Sequence, residues 1–261
     1  NKRLHHMSTT SVSGYYLVRQ NIENQMFTEN DFYIGQRYYE NVYVRSKFEA
    51  ENLILQFMAE GLNATIHRIG VLSGRYTDGK FQPNIYDNAL YNRLRSILQM
   101  GFVQEDYSNL DLEFSPVDYC SRAIVMLSLI EESNQHVFHI LNHNTMRLSD
   151  FIIAAYKCGY PIEIMAREDY EERIKRIHAD PFQQELLTGI INDVNMSRSK
   201  GGQSFPIIES RITVEYLRQL GFEWPVISNE YIQRIISYME STGFIDKEGG
   251  NSRHSLLRVK G

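Results

Sequence analysis

A tyrosine and a lysine four residues apart, Tyr43 and Lys47, are the side chains of this sequence best suited to chemistry. The segment around them is predicted to be a helix, on which residues at this spacing share a face. An ammonium group held near a phenol stabilises the phenolate, so the pair could exchange a proton at neutral pH. The hydroxyl-rich stretch 8–11 lies upstream and could hold the oxygen that receives this proton. Together these groups indicate a site that reduces a carbonyl group.

The elements around these residues follow the order of a parallel α/β sheet. An N-terminal strand leads into the loop 8–14, and a helix is expected over about 41–60. A short buried strand, 64–69, comes next and runs into the glycine-bearing loop 69–74. Helix, buried strand and loop in succession are typical of parallel sheets. Both loops should open at the carboxyl edge of the sheet, where such folds bind ligands.

The rest of the chain changes in character near residue 145, beyond which helical patterns predominate. Polar residues 246–261 are predicted to form a disordered tail. Periodicity predicts helices at 88–100, 119–130 (opened by Asp118), 148–158, 168–178, 180–192, 213–220 and 230–242, and strands at 112–117, 137–141 and 162–165.

Composition excludes several classes of protein. The 261 residues carry a formal net charge of −5, whereas a general nucleic-acid binder needs a basic surface. No stretch approaches the roughly 20 apolar residues that a membrane helix requires. Cys120 and Cys158 form no disulfide framework and are predicted to be buried thiols of a cytoplasmic protein. The histidines are scattered without partners at ligand spacing, so no metal site is expected.

A feature of dinucleotide-binding folds is missing from the sequence. Such folds need a glycine-rich turn after their first strand, where the backbone approaches the pyrophosphate. Neither G-x-G-x-x-G nor G-x-x-G-x-x-G occurs here. We therefore expect a partial sheet whose N-terminal nucleotide-binding half is absent, from the C-terminal part of a larger reductase.

These segments, taken together, resemble a known family. The segments 8–14, 43–47 and 67–74 resemble the second half of an extended short-chain dehydrogenase/reductase. The loop 70–84 and the segment 112–127 narrow the resemblance to the thioester reductase domains that end nonribosomal peptide synthetases. Carboxylic acid and aminoadipate reductases are relatives of these domains. The resemblance covers nearly the whole chain except the tail, but only the second half of the family's domain.

The resemblance implies a fold and a division into domains. Residues 1–144 would form the C-terminal part of an NAD(P)-binding, Rossmann-like domain. Residues 145–245 would form a mainly helical subdomain that faces the substrate and its carrier. In the implied reaction, an acyl or peptidyl thioester on a phosphopantetheine arm is reduced with NADPH and released as an aldehyde, with further reduction to an alcohol left open.

The resemblance also implies catalytic roles. Tyr43 would donate a proton to the substrate oxygen, and Lys47 would promote this transfer and hold the nicotinamide ribose. Thr9 would hydrogen-bond the same oxygen. Spacing alone leaves Thr10 and Ser11 open as alternatives for that hydroxyl, although the family pattern favours Thr9.

The residues implied to bind the cofactor lie on both loops and on the helix between them. The family's Arg-Pro-Gly reads Arg68-Ile69-Gly70 here. The expected contacts come from Ser8, Tyr43, Lys47, Ile69, Gly70 and Val71.

Several charged residues have expected roles outside the catalytic group. Arg68 is expected to anchor a strand end by ion pairing, and Arg75 and Lys80 are candidate contacts for the phosphate of the arm. The residues 168–175 are expected to be a solvated helix face.

The alternatives for the whole chain are a nucleotide-sugar epimerase or dehydratase of the extended short-chain class, and a non-catalytic binding protein that keeps the NAD(P) fold.

Overall fold

The computed structural model describes most of the chain and permits a direct comparison with these expectations. It covers residues 2–14, 16–17, 25–107, 110–181, 183–187, 189–190, 203–204 and 206–246. The predicted tail lies outside the described residues from position 247 onward.

The helices and strands are numbered in chain order over the described residues. The α-helices are α1 (Val42–Ala59), α2 (Ala89–Met100), α3 (Val117–Ser128), α4 (Leu148–Lys157), α5 (Arg167–Ala179), α6 (Arg211–Gln219) and α7 (Asn229–Ser241). The strands are β1 (Leu4–Thr9), β2 (Tyr16–Leu17), β3 (Met26–Phe27), β4 (Ala64–Ile69), β5 (Leu72–Ser73), β6 (Phe102–Gln104), β7 (Asp111–Leu112), β8 (Ser115–Pro116), β9 (Val137–Ile140), β10 (Met146–Arg147), β11 (Glu163–Met165), β12 (Gln203–Ser204) and β13 (Ile207–Ile208).

Helix α1 begins and ends where local chemistry requires. The Asn41 side chain accepts hydrogen bonds from the N–H groups of Tyr43 and Val44, which have no partner inside the helix. At the other end the backbone of Gly61 has φ of 103°, a value that glycine adopts without steric cost. The expected helix of 41–60 is therefore confirmed to within a residue at each end.

A parallel sheet in the order β1-β4-β9 carries the loops of interest. Strand β1 pairs in parallel with β4, and β4 pairs in parallel with β9. Both faces of β4 are buried over 64–68, so its polar side chains Thr65, His67 and Arg68 lie in the interior together with its apolar ones. The predicted α/β class with a parallel sheet is confirmed.

One face of this sheet is covered by α3 and α6. Phe138 and Ile140 on β9 pack with Leu127 on α3 and with Leu217 on α6. All four side chains are buried. Burial of an apolar side chain of this size stabilises the fold by roughly 1.5–3 kcal/mol. Helix α6 therefore belongs to the core of the sheet although it lies more than 70 residues after β9.

Contacts divide the chain into two compact units, each assembled from segments that are distant in sequence. The first unit holds the three-stranded sheet with α1, α3 and α6, and the second holds α2, α4, α5 and α7. The units comprise 1–72, 113–144 and 193–226, and 73–112, 145–192 and 227–261. The expected boundary at 144/145 coincides with one of the five positions at which the chain passes from one unit to the other.

The second unit has its own core and is mainly helical. Tyr231 on α7 is fully buried, and its hydroxyl donates to the carbonyl oxygen of Gly74 at 2.6 Å. The Ser73 hydroxyl lies 2.7 Å from the same phenol oxygen. A side chain at Gly79 would collide with the backbone of Arg234, so the chain passes α7 at a distance only glycine permits. The 73–79 segment is thus fixed on α7.

Two predicted elements differ in the structure. The expected strand at 112–117 is divided into β7 and β8, and α3 begins at Val117. Pro116 is the N-cap, where its missing N–H costs no helical hydrogen bond, and Asp118 lies in the first turn. The expected helix at 180–192 is only the 3-10 turn Gln184–Leu187 among the residues described there. Pro181 explains this difference, because it holds Asp180 in the extended region.

The two cysteines have different environments. Cys120 is buried beneath the sheet, where burial raises the pKa of its thiol. Cys158 is only half-buried, which corrects the expectation that both thiols lie inside. Its position at the C-cap of α4 keeps it near the surface.

Candidate active site

The two loops expected to carry the site end at the same edge of the sheet. Thr9, the last residue of β1, is opposite Ile69, the last residue of β4. Ile69 is in turn opposite Ile140 at the end of β9. The carboxyl ends of all three strands are therefore level, and the expectation that both loops open at one edge is confirmed.

Thr9 has a defined orientation at this edge. It is the extended N-cap of the 3-10 helix Thr10–Ser13, and its hydroxyl oxygen accepts the Ser11 N–H at 3.2 Å. A hydroxyl that accepts through a lone pair keeps its proton for donation. Thr9 is only 7% exposed, whereas Thr10 is half-buried and Ser11 is exposed. The capping interaction sets Thr9 apart from the two neighbouring hydroxyls.

Tyr43 lies in the first turn of α1 with its side chain accessible. The Asn41 side chain accepts its backbone N–H at 2.9 Å and so fixes the start of the helix. The Tyr43 side chain is 54% exposed, so the phenol does not turn into the packed interior. A substrate can therefore reach it.

Lys47 connects the same helix to β1. Its Nζ donates to the carbonyl oxygen of Met7 at 3.1 Å, two residues before Thr9. This contact holds the ammonium group beside the end of β1, on the face of α1 that also carries Tyr43. The structure thus brings Lys47 to the strand that ends in Thr9.

Ser8 points away from this edge and into the interior. It is buried, and its hydroxyl donates a short hydrogen bond to the Glu51 carboxylate. Glu51 also receives the Arg68 guanidinium, with Nη2 at 2.8 Å and Nε at 3.0 Å from the same oxygen. The side chains of Glu51 and Arg68 are both 0% exposed. The expectation that Arg68 anchors a strand end through an ion pair is confirmed.

The buried ion pair continues into a larger polar network. Arg68 Nη1 donates to the Asp31 carbonyl oxygen at 2.8 Å and lies 3.2 Å from His139 Nε2. Because Arg68 can only donate, His139 Nε2 accepts and its Nδ1 carries the proton. That Nδ1 donates to the Glu209 carbonyl oxygen at 2.6 Å. Burial, together with the Arg68 charge, lowers the pKa of His139 to about 3, so the ring is neutral.

The loop after β4 is closed by a carboxylate that sequence reasoning did not find. Glu113 accepts the Val71 N–H at 2.7 Å and the Ser115 hydroxyl at 2.8 Å. Burial raises the pKa of Glu113, and these two hydrogen bonds oppose that shift. Any side chain at Gly70 would collide with the Glu113 carboxylate and with Leu141. Glycine is therefore required at the turn where Ile69, Gly70 and Val71 are expected to meet the cofactor.

Arg75 and Lys80, the candidate contacts for the phosphate of the arm, belong to the second unit. Arg75 forms an ion pair with Asp78, and Lys80 lies 3.8 Å from the same carboxylate. Within the described ranges, no group of three or more histidine, cysteine, aspartate and glutamate side chains is placed to hold a metal ion. In the same part of the chain, no helix is long and apolar enough to cross a membrane.

Glu51 is a second residue at this site that sequence reasoning missed. Tyr43, Lys47 and Glu51 follow one another at four-residue spacing, which places all three along one side of α1. A carboxylate in line with Tyr43 and Lys47, followed by an arginine on a buried strand, was the available signal. Its partners Ser8 and Arg68 come from β1 and β4, so the pairing itself depends on the fold.

Comparisons with known proteins show what this chain is similar to. Residues 1–124 match the NAD-binding family model described as male sterility protein. The chain is 26% identical over 225 residues to a component of the linear gramicidin synthase of Brevibacillus parabrevis, an alignment covering 85% of this chain and 4% of that synthase protein.

Solved structures match over almost the whole chain. A thiolation-reductase di-domain from an archaeal nonribosomal peptide synthetase superimposes with a TM-score of 0.80 at 30% identity, covering 94% of this chain and 50% of that one. The terminal R domain of the myxalamid pathway shares the fold, with a TM-score of 0.77 at 24% identity, covering 94% and 60%. The chain thus spans about half the length of the reductase structures it matches. The chain is therefore similar to thioester reductase domains of nonribosomal peptide synthetases, and its residues 1–124 are similar to an NAD-binding family.

Proposed function

We propose that this chain is the catalytic part of an NADPH-dependent reductase that releases a carrier-bound acyl or peptidyl thioester as an aldehyde. The observation that carries the proposal is the connection between α1 and β1. An exposed phenol, Tyr43, and an ammonium group, Lys47, share one side of the helix. Lys47 is bound two residues before Thr9 at the carboxyl edge of the sheet.

The residues at this edge fit a nicotinamide cofactor. The turn at Gly70 admits no side chain, which suits a loop that a ligand approaches closely. Val71 is 39% exposed at the end of that turn, and Tyr43 is exposed on α1. The nicotinamide end would be held by Lys47 and by the loop residues Ile69, Gly70 and Val71. The hydroxyl of Ser8 is bound to Glu51, so Ser8 would contribute only through its position at the end of β1. The bound cofactor would supply a hydride to the carbonyl carbon of the substrate.

The protein's own groups would act on the substrate oxygen. As the carbonyl is reduced, negative charge develops on that oxygen, and preorganised donors there lower the barrier. Tyr43 would donate its phenolic proton, and the Lys47 ammonium would stabilise the phenolate that remains. Thr9 would donate a hydrogen bond to the same oxygen while its lone pair accepts the Ser11 N–H. As the resulting hemithioacetal collapses, its hydroxyl returns its proton to the Tyr43 phenolate and the carbon–sulfur bond breaks. The leaving thiolate takes up a proton from solvent, which gives an aldehyde and a free thiol.

The partner that fits this reaction is an acyl or peptidyl carrier domain with a phosphopantetheine arm. A similar solved structure is a thiolation-reductase di-domain, in which a carrier and a reductase occur in one chain. We propose that residues 1–144 provide the C-terminal part of the cofactor-binding domain and that the mainly helical residues 145–245 face the substrate and its carrier. Whether a second reduction gives an alcohol depends on how long the aldehyde stays bound.

The competing functions are less well supported. An epimerase or dehydratase would act on a nucleotide sugar, yet the structural matches described above are to reductase domains. A non-catalytic binding protein would not need an accessible phenol beside an anchored ammonium group. No observation favours either alternative over the reductase.

The experiment is a product assay on the natural full-length protein. An acyl-pantetheine thioester is supplied with NADPH or NADH, and cofactor oxidation, aldehyde and free thiol are measured. The proposal predicts that aldehyde and thiol form in equal amounts, and that they form faster with NADPH than with NADH. Conversion of a nucleotide sugar without net oxidation of the cofactor would favour the epimerase class, and no turnover with either substrate would favour the binding protein.

A further inference from the structure

Tyr43, Lys47 and Glu51 are spaced by four residues on α1, and the last of the three cannot touch substrate. Tyr43 is exposed, Lys47 reaches the β1 backbone, and Glu51 is fully buried. Glu51 is therefore too deep for a direct role in the reaction. It lies two helical turns from Tyr43, on the same side of the same helix.

We propose that Glu51 and Arg68 are positioning residues that set where Tyr43 and Lys47 stand relative to Thr9. The proposal rests on the function proposed above. Through one carboxylate, α1 is fixed to the two strands whose ends form the site. Ser8 donates to it from β1 immediately before Thr9, and Arg68 donates from β4 immediately before Ile69.

The geometry of the pair restricts both translation and rotation of the helix. Two nitrogens of Arg68, Nε and Nη2, donate to Glu51 Oε2 at 3.0 and 2.8 Å, and Nε also lies 3.2 Å from Oε1. A planar guanidinium that donates in this forked manner has few alternative arrangements. Its remaining nitrogen is bound to the Asp31 carbonyl oxygen, and its face lies 4.8 Å over the Phe27 ring. Arg68 is thus held by Asp31 and by Phe27 in addition to its contact with Glu51.

The energetics of buried charges favour a positioning role over a contribution to stability. Removing two charges from water costs about as much as their attraction returns, so an apolar pair of similar volume often gives equal stability. What the ion pair adds is a defined geometry. Misplacement of reacting groups by about 1 Å can cost roughly a hundredfold in rate. A fixed link between α1 and the two strand ends prevents such displacement.

The test uses the natural full-length protein with NADPH and an acyl-pantetheine thioester. The first variant is Glu51→Gln, with Glu49→Gln as its matched control. Glu49 lies on the same helix and pairs with Arg45 at the surface, where both side chains are 58% exposed. The second variant replaces the pair, Glu51→Met with Arg68→Met, which removes the polar link while keeping an apolar core. Thermal unfolding of each variant is measured beside kcat and KM.

A positioning role predicts a specific pattern. Glu51→Gln lowers kcat by about ten- to a hundredfold, the KM for the thioester changes less than about threefold, and Glu49→Gln matches the wild type. The double Met variant unfolds near the wild-type temperature but stays slow. If that folded double variant regains wild-type kcat, the pair is only structural and the inference is wrong. If Glu51→Gln does not fold, the double variant alone decides. A wild-type protein with no thioester turnover would instead overturn the proposed function.

Discussion

Lys47 on α1 donates a hydrogen bond to the carbonyl oxygen of Met7 on β1, at 3.1 Å. The ammonium group is therefore directed by the backbone of the strand that ends in Thr9. A charge held in this way needs little reorganisation when a reaction occurs beside it. The contact links the first turns of α1 to the carboxyl edge of the sheet, and Glu51 links the helix again one turn later.

Replacing Lys47 tests the role of this ammonium group. Lys47→Met keeps the apolar stem but removes the charge and the hydrogen bond to Met7. Hydrogen bonds from charged groups contribute about 1.5–3 kcal/mol, so we expect kcat/KM for NADPH to fall by roughly ten- to a hundredfold. Steady-state kinetics at varied NADPH measures the effect. Lys2→Met, a change at an exposed position of the same unit, serves as the control, and equal kinetics for both variants would refute a role for Lys47.

The attachment of α6 to the sheet can be tested by a pair of substitutions on that helix. Leu217 is 2% exposed in the core with Phe138, whereas Val214 is 40% exposed. Leu217→Ala should lower the free energy of unfolding by about 2–5 kcal/mol because it leaves a cavity. Val214→Ala should change it by less than about 1 kcal/mol. Denaturant unfolding measures both, and similar effects would mean that α6 does not pack as described.

Two buried histidines make stability depend on pH. Burial lowers the pKa of His67 to about 4, and that of His139 to about 3. In the unfolded chain both rings titrate near 6.5, so below that pH the unfolded state binds more protons than the folded state. Their stabilising contribution is complete above about pH 6.5 and is lost as the pH falls toward the folded values. Each ring adds a slope of about 1.4 kcal/mol per pH unit in this window.

His67→Phe isolates one of these rings. The substitution keeps an aromatic ring beside Phe138, on which His67 stacks at 5.9 Å between centroids. We expect the free energy of unfolding of the variant to fall less steeply between neutral pH and about pH 5. The slope with pH should be smaller by roughly the contribution of one bound proton. An identical acid dependence in wild type and His67→Phe would contradict a buried neutral imidazole.

Local patterns were sufficient to predict the elements that carry the site. Helix α1 was predictable because a capping Asn41 and a terminal Gly61 enclose an amphipathic segment. Strand β4 was predictable because the β-branched residues Thr65, Ile66 and Ile69 lie in a short segment between a turn and a glycine. The level ends of β1 and β4 follow from parallel pairing, which the order of elements indicated.

What depends on contacts distant in sequence was not predictable. The inward direction of the Ser8 hydroxyl follows from Glu51, 43 positions later. The position of Glu113 at Val71 follows from the division of the predicted 112–117 strand into two. The interleaving of the two units follows from apolar faces such as that of α6, which return to the sheet late in the chain. No window of sequence contains both partners of these interactions.

The central claim is that the Tyr43 phenol gives its proton to the substrate oxygen. The most direct measurement is the rate of aldehyde formation from an acyl-pantetheine thioester by wild type and by Tyr43→Phe. Tyr39→Phe, at another exposed tyrosine shortly before α1, is the matched control. Loss of a positioned proton donor should reduce kcat by about 10²- to 10⁴-fold, with NADPH still bound and with Tyr39→Phe equal to wild type. Undiminished aldehyde formation by Tyr43→Phe would contradict the account.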